Sequence, residues 1–190
     1  MTQSNPLKES TVLIIKPDGV RRGLIGEIVK RIEVRELKVI ALELFLPTRK
    51  QIDGHYPKSE KWISRLGEKT LTAFAAHGLD PKKEFGTNNT KVIGKKVRLW
   101  LIDYTTAGPI VKMVIQGPSA IAMVRKIVGS TMPQDAEVGT IRGDFSVDSG
   151  ALANLEKRVV ANLVHSSENK EEAEHEIAFW FGADFLKKRG

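Results

Sequence analysis

The sequence predicts an α+β fold. It is a ferredoxin-like βαββαβ antiparallel sheet with covering helices, enlarged by a helical insertion and by an extra helix before the strand that carries the candidate active site. Three observations carry this. Apolar residues switch between strand-like and helical spacing in the order β-α-β-(α)-β-α-β-α. The strand-like runs are short, β-branched and closed by turn formers. Two βαβ halves of this kind build a four-stranded sheet, with helices expected on one face.

Thr11 to Ile15 (TVLII) reads as a buried strand ended by the turn Pro17-Asp18-Gly19, which leaves Lys16 at the strand end. Leu24, Ile25, Ile28, Val29 and Ile32 recur at helical spacing and predict a helix over 24–34. Lys38 to Leu46 is a second strand, stopped by Pro47. Thr48, with Gln51 three residues on, has the spacing of a capping box and opens a helix leading to His55-Tyr56.

Between Pro57 and Gly108 the pattern is less regular. Trp62, Ile63, Leu66, Leu71, Phe74 and Ala75 suggest helical pieces, 78–94 is expected to be loop-rich, and 97–104 helical. Pro109 to Gln116 is a third strand, followed by a helix over 119–128. Thr131 to Phe145 holds turn formers and few apolar residues, so it is expected to be a long ordered loop with a functional role. A helix over 151–158 precedes a last strand, 159–164, which places His165 at its C-terminal end. Asn169 caps a final amphipathic helix carrying Ala173, Ile177, Phe179, Trp180 and Phe181.

A length of 190 residues with 41% hydrophobic composition fits one domain, 1–190, with an insertion at about 60–100. Cysteine is absent, which excludes disulfides and cysteine-ligated metals and fits a reducing compartment. No apolar run approaches the ~20 residues of a membrane span, and Met1 to Ser10 lacks a secretory layout, so the expected location is the cytoplasm and no membrane partner is expected. The net charge of +7 attracts polyanions, but mixed-sign stretches such as 170–176 read as a solvated face.

There is no Gly-x-x-x-x-Gly-Lys-Ser/Thr loop, no dinucleotide fingerprint, no His-Glu-x-x-His and no Gly-x-Ser-x-Gly elbow. Phosphoryl transfer here would not use a P-loop. A lone histidine at a strand end is more often structural than catalytic, and a single basic residue more often surface than site. Context singles out His165. Lys16 at a strand end, Arg125 on a helix and Arg142 in the 131–145 segment stand where strands and loops converge, and arginine clamps phosphate while lysine supplies a point charge.

Four separated motifs in order then resemble the nucleoside diphosphate kinase family. They are Lys16-Pro17-Asp18-Gly19-Val20 with Arg22-Gly23-Leu24-Ile25-Gly26-Glu27-Ile28, the pair His55-Tyr56, Gly139-Thr140-Ile141-Arg142-Gly143-Asp144-Phe145, and Asn162-x-x-His165-x-Ser167-Glu168. The last usually ends in Ser-Asp in the family. The resemblance implies transfer of the γ-phosphate of a nucleoside triphosphate, typically ATP, to a nucleoside diphosphate by a ping-pong mechanism. It implies His165 as nucleophile, phosphorylated on Nδ1, with Lys16 and Asn162 at the ribose 3′-hydroxyl. Lys16 also reaches the γ-phosphate, and Arg125, Thr131 and Arg142 hold the phosphates. Glu176 supports the histidine, Ser167 stands beside it and Tyr56 packs nearby. Mg²⁺ as cofactor, held between phosphate oxygens and water, and a homo-oligomer (hexamer or tetramer) belong to the same implication.

Three departures stand out. Extra residues lie between Tyr56 and Gly108, where the family places a base-stacking aromatic. Counting back from Gly108 puts Val97 there, with Leu101 one turn later and Trp100 a competitor. Further extra residues follow Phe145, and the chain stops soon after Phe181, where longer members carry an extension across subunit interfaces. Two other readings share the fold. A catalytically silent nucleotide-binding member is expected to have lost His165, Lys16 or an arginine, and all remain. A nucleic-acid-binding module is expected to carry aromatics on its central strands, and 11–15 and 109–116 have none, so nucleic acid is at most a secondary partner.

Overall fold

The computed structural model describes residues 8–189; Met1 to Leu7 of the polar opening lie outside the described residues. Strand β1 (Lys8–Ile15) is central in a sheet ordered β2-β3-β1-β4, with β2 (Lys38–Phe45), β3 (Ile110–Pro118) and β4 (Val164–Ser166) all pairing antiparallel. This is the predicted α+β sheet.

Helices cover both of its faces, not one. In β1, Leu13 and Ile15 pack with Met113, Ile115, Ile28 and Val124 on one side. Val12 and Ile14 pack with Val114, Ile52, Ile102 and Ile177 on the other. The reason is legible in retrospect, because a near-continuous apolar run marks a strand buried on both faces, whereas a half-exposed one alternates. The first layer is α2 (Ile25–Glu33) and α7 (Ala120–Val128); the second is α3 (Arg49–His55), α6 (Thr90–Thr105) and α10 (Lys170–Phe181).

Pro17-Asp18-Gly19 belongs to a one-turn helix, α1 (Pro17–Arg21), with proline at its first position, where no N–H is needed. The capping box at α3 forms in full: Thr48 accepts from the Gln51 N–H and the Gln51 side chain accepts from the Thr48 N–H at 2.9 Å.

The insertion is more helical than its composition suggests. It holds α4 (Glu60–Ala76), α5 (Pro81–Phe85) and the start of α6. Asp80 and Asn89, which read as loop residues, are the N-caps of α5 and α6, and Gly86 closes α5 in the left-handed conformation. Helices α4 and α6 touch backbone to backbone. A Cβ on Gly67 would stand 2.0 Å from the Thr90 carbonyl oxygen, and one on Gly94 would stand 1.9 Å from that of Ile63. Gly94→Ala is therefore expected to cost ~2–3 kcal/mol, because a main chain cannot rotate aside as a side chain can. Urea unfolding checks this, and a wild-type midpoint would contradict it.

The 131–145 segment contains a 3-10 turn, Pro133–Asp135, and a short helix α8 (Ile141–Phe145) capped by Thr140. The helix expected over 151–158 runs over Gly150–Leu155 (α9). The strand expected over 159–164 is not formed there, since β4 begins at Val164 and places His165 inside the strand, opposite Ile14. Residues 161–163 spend their backbone groups on side chains from distant parts of the chain instead. The Ala161 N–H donates to Asp148 Oδ2 at 2.7 Å, the Asn162 carbonyl accepts from Arg142 Nε at 3.1 Å, and the Leu163 N–H donates to Asp18 Oδ2 at 3.1 Å.

Candidate active site

A cleft of about 470 Å³ opens beside β4 and is lined by His165, Lys16, Arg125, Thr131, Arg142 and Asn162, among others. The chain approaches it through a strained residue. Leu163 sits at φ 67°, a region costly for a branched side chain, and is pinned there because its carbonyl accepts the Lys16 N–H at 2.8 Å while its own N–H is held by Asp18.

His165 Nε2 lies 2.6 Å from Glu176 Oε1. The other oxygen of that carboxylate accepts the Ser167 hydroxyl at 2.7 Å, and Ser167 Oγ accepts the Val12 N–H at 3.2 Å. The chain of bonds runs from a sheet backbone through Ser167 and Glu176 to the ring. A carboxylate can only accept, so Nε2 carries a hydrogen, and in the neutral ring the lone pair is then on Nδ1. Among the described residues Nδ1 has no hydrogen bond. Burial alone would raise the Glu176 carboxyl, but the charge and hydrogen bond of His165 outweigh it and hold it at about 2.

His55 meets His165 edge-on, ring centroids 4.9 Å apart at 90°, and its Nδ1 accepts from Trp180 Nε1 at 3.3 Å. Burial, followed by the neighbouring His165, lowers His55 to about 3, so it stays neutral. Both groups take up a proton less readily folded than unfolded. The His55 contribution to stability is complete above its usual 6.5 and falls away as pH drops towards 3. That of Glu176 is complete above 4.5 and is lost towards 2. The unfolding free energy in urea should therefore decline as pH is lowered from 6.5 to 3; a flat profile would contradict the assignment.

Lys16 Nζ donates to Asn162 Oδ1 at 2.7 Å, and Asn162 Nδ2 donates to the Thr131 carbonyl at 2.9 Å. Burial and then the Arg142 charge lower Lys16 to about 7. Arg142 is committed to the backbone: its N–H groups reach the carbonyls of Asn162, Gly129, Ser130 and Val164 at 3.1, 2.9, 3.2 and 2.8 Å. A guanidinium has five N–H donors, so roughly one is left for a ligand. Arg125, in contrast, lines the cleft without a hydrogen bond or ion pair among the described residues. Tyr56 is buried with its hydroxyl 3.0 Å from Thr105 Oγ1, and burial pushes it up to about 12.

Val97 is not brought to the cleft. It is buried in the core of the insertion with Phe74, Phe85 and Ile93, and Trp100 packs on Phe85 at 6.0 Å. Leu101 does line the cleft. Val97 and Leu101 share one face of α6 and are one turn, about 6 Å, apart along it, so Val97 lies in the insertion core while Leu101 reaches the cleft. Trp62, Arg65, Leu66 and Lys69, none of them in the predicted site, also line the cleft, from α4. Their spacing, i, i+3, i+4 and i+7, was the available signal. Trp62 lies over the Tyr56 ring, centroids 6.1 Å apart at 28°.

The chain is similar to known proteins. A family model for nucleoside diphosphate kinase matches residues 9–64 and 59–185, its two stretches meeting where the insertion begins. A nucleoside diphosphate kinase of Pyrobaculum aerophilum is 48% identical over 173 residues, 91% of this chain and 94% of that one. The chain belongs to the nucleoside diphosphate kinase family. A second nucleoside diphosphate kinase, from Archaeoglobus fulgidus, is 35% identical over 93% of this chain and 88% of its own. The solved NDP kinase of Pyrobaculum aerophilum matches with a TM-score of 0.89 and 46% identity, over 92% of this chain and 96% of that one. A transition-state mimic of the Borrelia burgdorferi enzyme, with bound vanadate and ADP, matches at 0.73 with 32% identity over 93% and 89%. This kinase is accordingly a nucleotide phosphotransferase, and the silent-binder and nucleic-acid readings gain no support. No helix among its described residues is long and apolar enough to cross a membrane.

Proposed function

We propose that the enzyme moves the γ-phosphate of a nucleoside triphosphate, typically ATP, to a nucleoside diphosphate through phospho-His165. The observation that carries this is one imidazole with Nε2 held by Glu176 and Nδ1 unbonded, in a cleft shared with Lys16, Arg125 and Arg142. The Nδ1 lone pair forms the N–P bond as the bond from phosphorus to the β-phosphate oxygen breaks, and the diphosphate leaves. The ring keeps its Nε2 hydrogen throughout, and its new positive charge faces the Glu176 carboxylate. The reverse step delivers the phosphoryl group to the terminal oxygen of a second diphosphate, giving ping-pong kinetics.

Lys16 and Asn162 take the ribose 3′-hydroxyl, with Lys16 also at the γ-phosphate, a reading supported by the hydrogen bond that joins the two side chains in the cleft. Arg125 is the direct phosphate clamp, joined by Thr131. Arg142 contributes its charge and its one uncommitted N–H. Trp62, Leu66 and Leu101 form an apolar wall on which a base can stack.

Mg²⁺ fits the cleft as a companion of the phosphates. Glu172 lines it and keeps one carboxylate oxygen without a hydrogen bond among the described residues, an oxygen donor of the kind this ion takes. The one compact group of metal-ligating side chains among the described residues is His55, His165 and Glu176, whose nitrogens suit softer metals and whose carboxylate is already engaged. When bound, Mg²⁺ neutralises charge on the transferring phosphate.

A homo-oligomer, hexamer or tetramer, is supported by the edge strand β2, where Leu42 and Leu44 are 49% and 61% exposed. A cytoplasmic location agrees with the absence of cysteine.

The test is a two-stage labelling. Enzyme mixed with γ-labelled ATP and Mg²⁺, then quenched, should yield an acid-labile, alkali-stable phosphoprotein. Adding GDP before the quench should discharge the label into GTP. No label on the protein would overturn the reading.

A further inference from the structure

We propose that Lys69, carried by the insertion, is a phosphate-binding residue of the nucleotide cleft. The inference rests on the function just described and concerns a residue outside every motif. Its first support is placement. Trp62, Arg65, Leu66 and Lys69 share one face of α4 and all line the cleft that holds His165. Lys69, Arg65, Ser130 and Thr131 also line a second cavity, of about 500 Å³. Lys69 thus stands where the two spaces meet, on the side of the proposed phosphate residue Thr131.

The second support is anchorage. The close approach at Gly67 and Gly94 locks α4 on α6. Arg65 then clasps Glu168, its Nη2 lying 3.2 and 3.3 Å from the two carboxylate oxygens. Glu168 is the position where the family usually has the shorter aspartate, so this motif departure coincides with a partner supplied by the insertion. Residues 65 and 69 are four apart and project from the same side of the helix, so the clasp that fixes one places the other.

The third support is that the ammonium has no protein partner. Lys69 makes no hydrogen bond or ion pair among the described residues. Three guanidinium groups, those of Arg65, Arg125 and Arg142, act on it, and only Glu168 acts in the opposite sense. Partial desolvation at the cleft wall and then the Arg65 charge lower its pKa, while the side chain stays open to the cleft solvent. A lysine with only a solvation role gains by swinging away from like charges. One retained in the cleft gains when an anion arrives, and a nucleotide polyphosphate is the anion this cleft receives.

Steady-state kinetics test the assignment with Lys69→Met, which keeps the stem and removes the charge, Lys69→Arg, and Lys61→Met. Lys61 lies on the same helix but lines neither cavity. Lys69→Met should raise KM for both ATP and the acceptor diphosphate about tenfold, the size of one charge-assisted hydrogen bond. Its kcat should stay within about twofold, because an interaction present in both ground and transition states moves KM alone. Lys69→Arg should restore most of the affinity, and Lys61→Met should match wild type. Thermal midpoints of all variants guard against a folding artefact. If wild type labels on His165 while Lys69→Met keeps the wild-type KM, this proposal fails and the function stands. If wild type itself does not label, the function fails first.

Discussion

Replacing His165 with alanine should abolish nucleotide phosphotransfer, lowering kcat by at least ~10⁴-fold, the scale on which removal of a nucleophile acts. The described groups next to the ring are already committed. Among the neighbouring groups His55 is buried and neutral, with its Nδ1 already accepting from Trp180. Lys16 is bonded to Asn162, and Ser167 has its hydroxyl on Glu176. Nucleotide affinity should survive, because the cations and the apolar wall are untouched. Calorimetric titration with ADP should therefore give a dissociation constant close to wild type beside a vanished rate. A variant that retained even a hundredth of the rate would place the nucleophile elsewhere.

The second large effect is expected at Arg142, on stability more than on chemistry. Arg142→Ala withdraws the hydrogen bonds to the Asn162, Gly129, Ser130 and Val164 carbonyls and unties the 129–131 turn from the strand carrying His165. Leaving several buried acceptors without donors should cost on the order of 3–5 kcal/mol in urea unfolding. Arg125→Ala, whose side chain has no protein partner among the described residues, should lose less than ~1 kcal/mol and instead raise KM for nucleotides. Two arginines to which the family resemblance gives the same task would separate into a scaffold and a clamp. Equal stability losses in the two variants would reject that division.

Much of the fold was legible because its signals are local. The capping box at Thr48, the β-branched run of β1 and the cap at Asn169 each declare an element within a few residues. What failed was non-local. Residues 159–164 look like a strand by composition, yet their backbone is claimed by Asp148, Arg142 and Asp18, residues distant in sequence. The second helical layer was missed because a run apolar at every position was not weighed as burial on both faces. In the site, the motifs named the residues that meet at His165, while the insertion defeated counting. Distance from Gly108 points to Val97, whereas the insertion needs a core of its own and takes Val97 for it, leaving Leu101, one turn further along the same helix face, at the cleft. Trp62 and Lys69 lie outside every motif and become visible only when α4 is seen to face β4.

The central claim is that Glu176 holds one nitrogen of His165 so that the other meets phosphorus. The direct test is to locate the phosphate. Phosphoenzyme made with ATP and Mg²⁺, digested under alkaline conditions and examined by mass spectrometry and phosphorus NMR, should carry a single phosphoryl group on Nδ1 of His165. A phosphate on Nε2 of that ring, or on any other residue, would contradict the account.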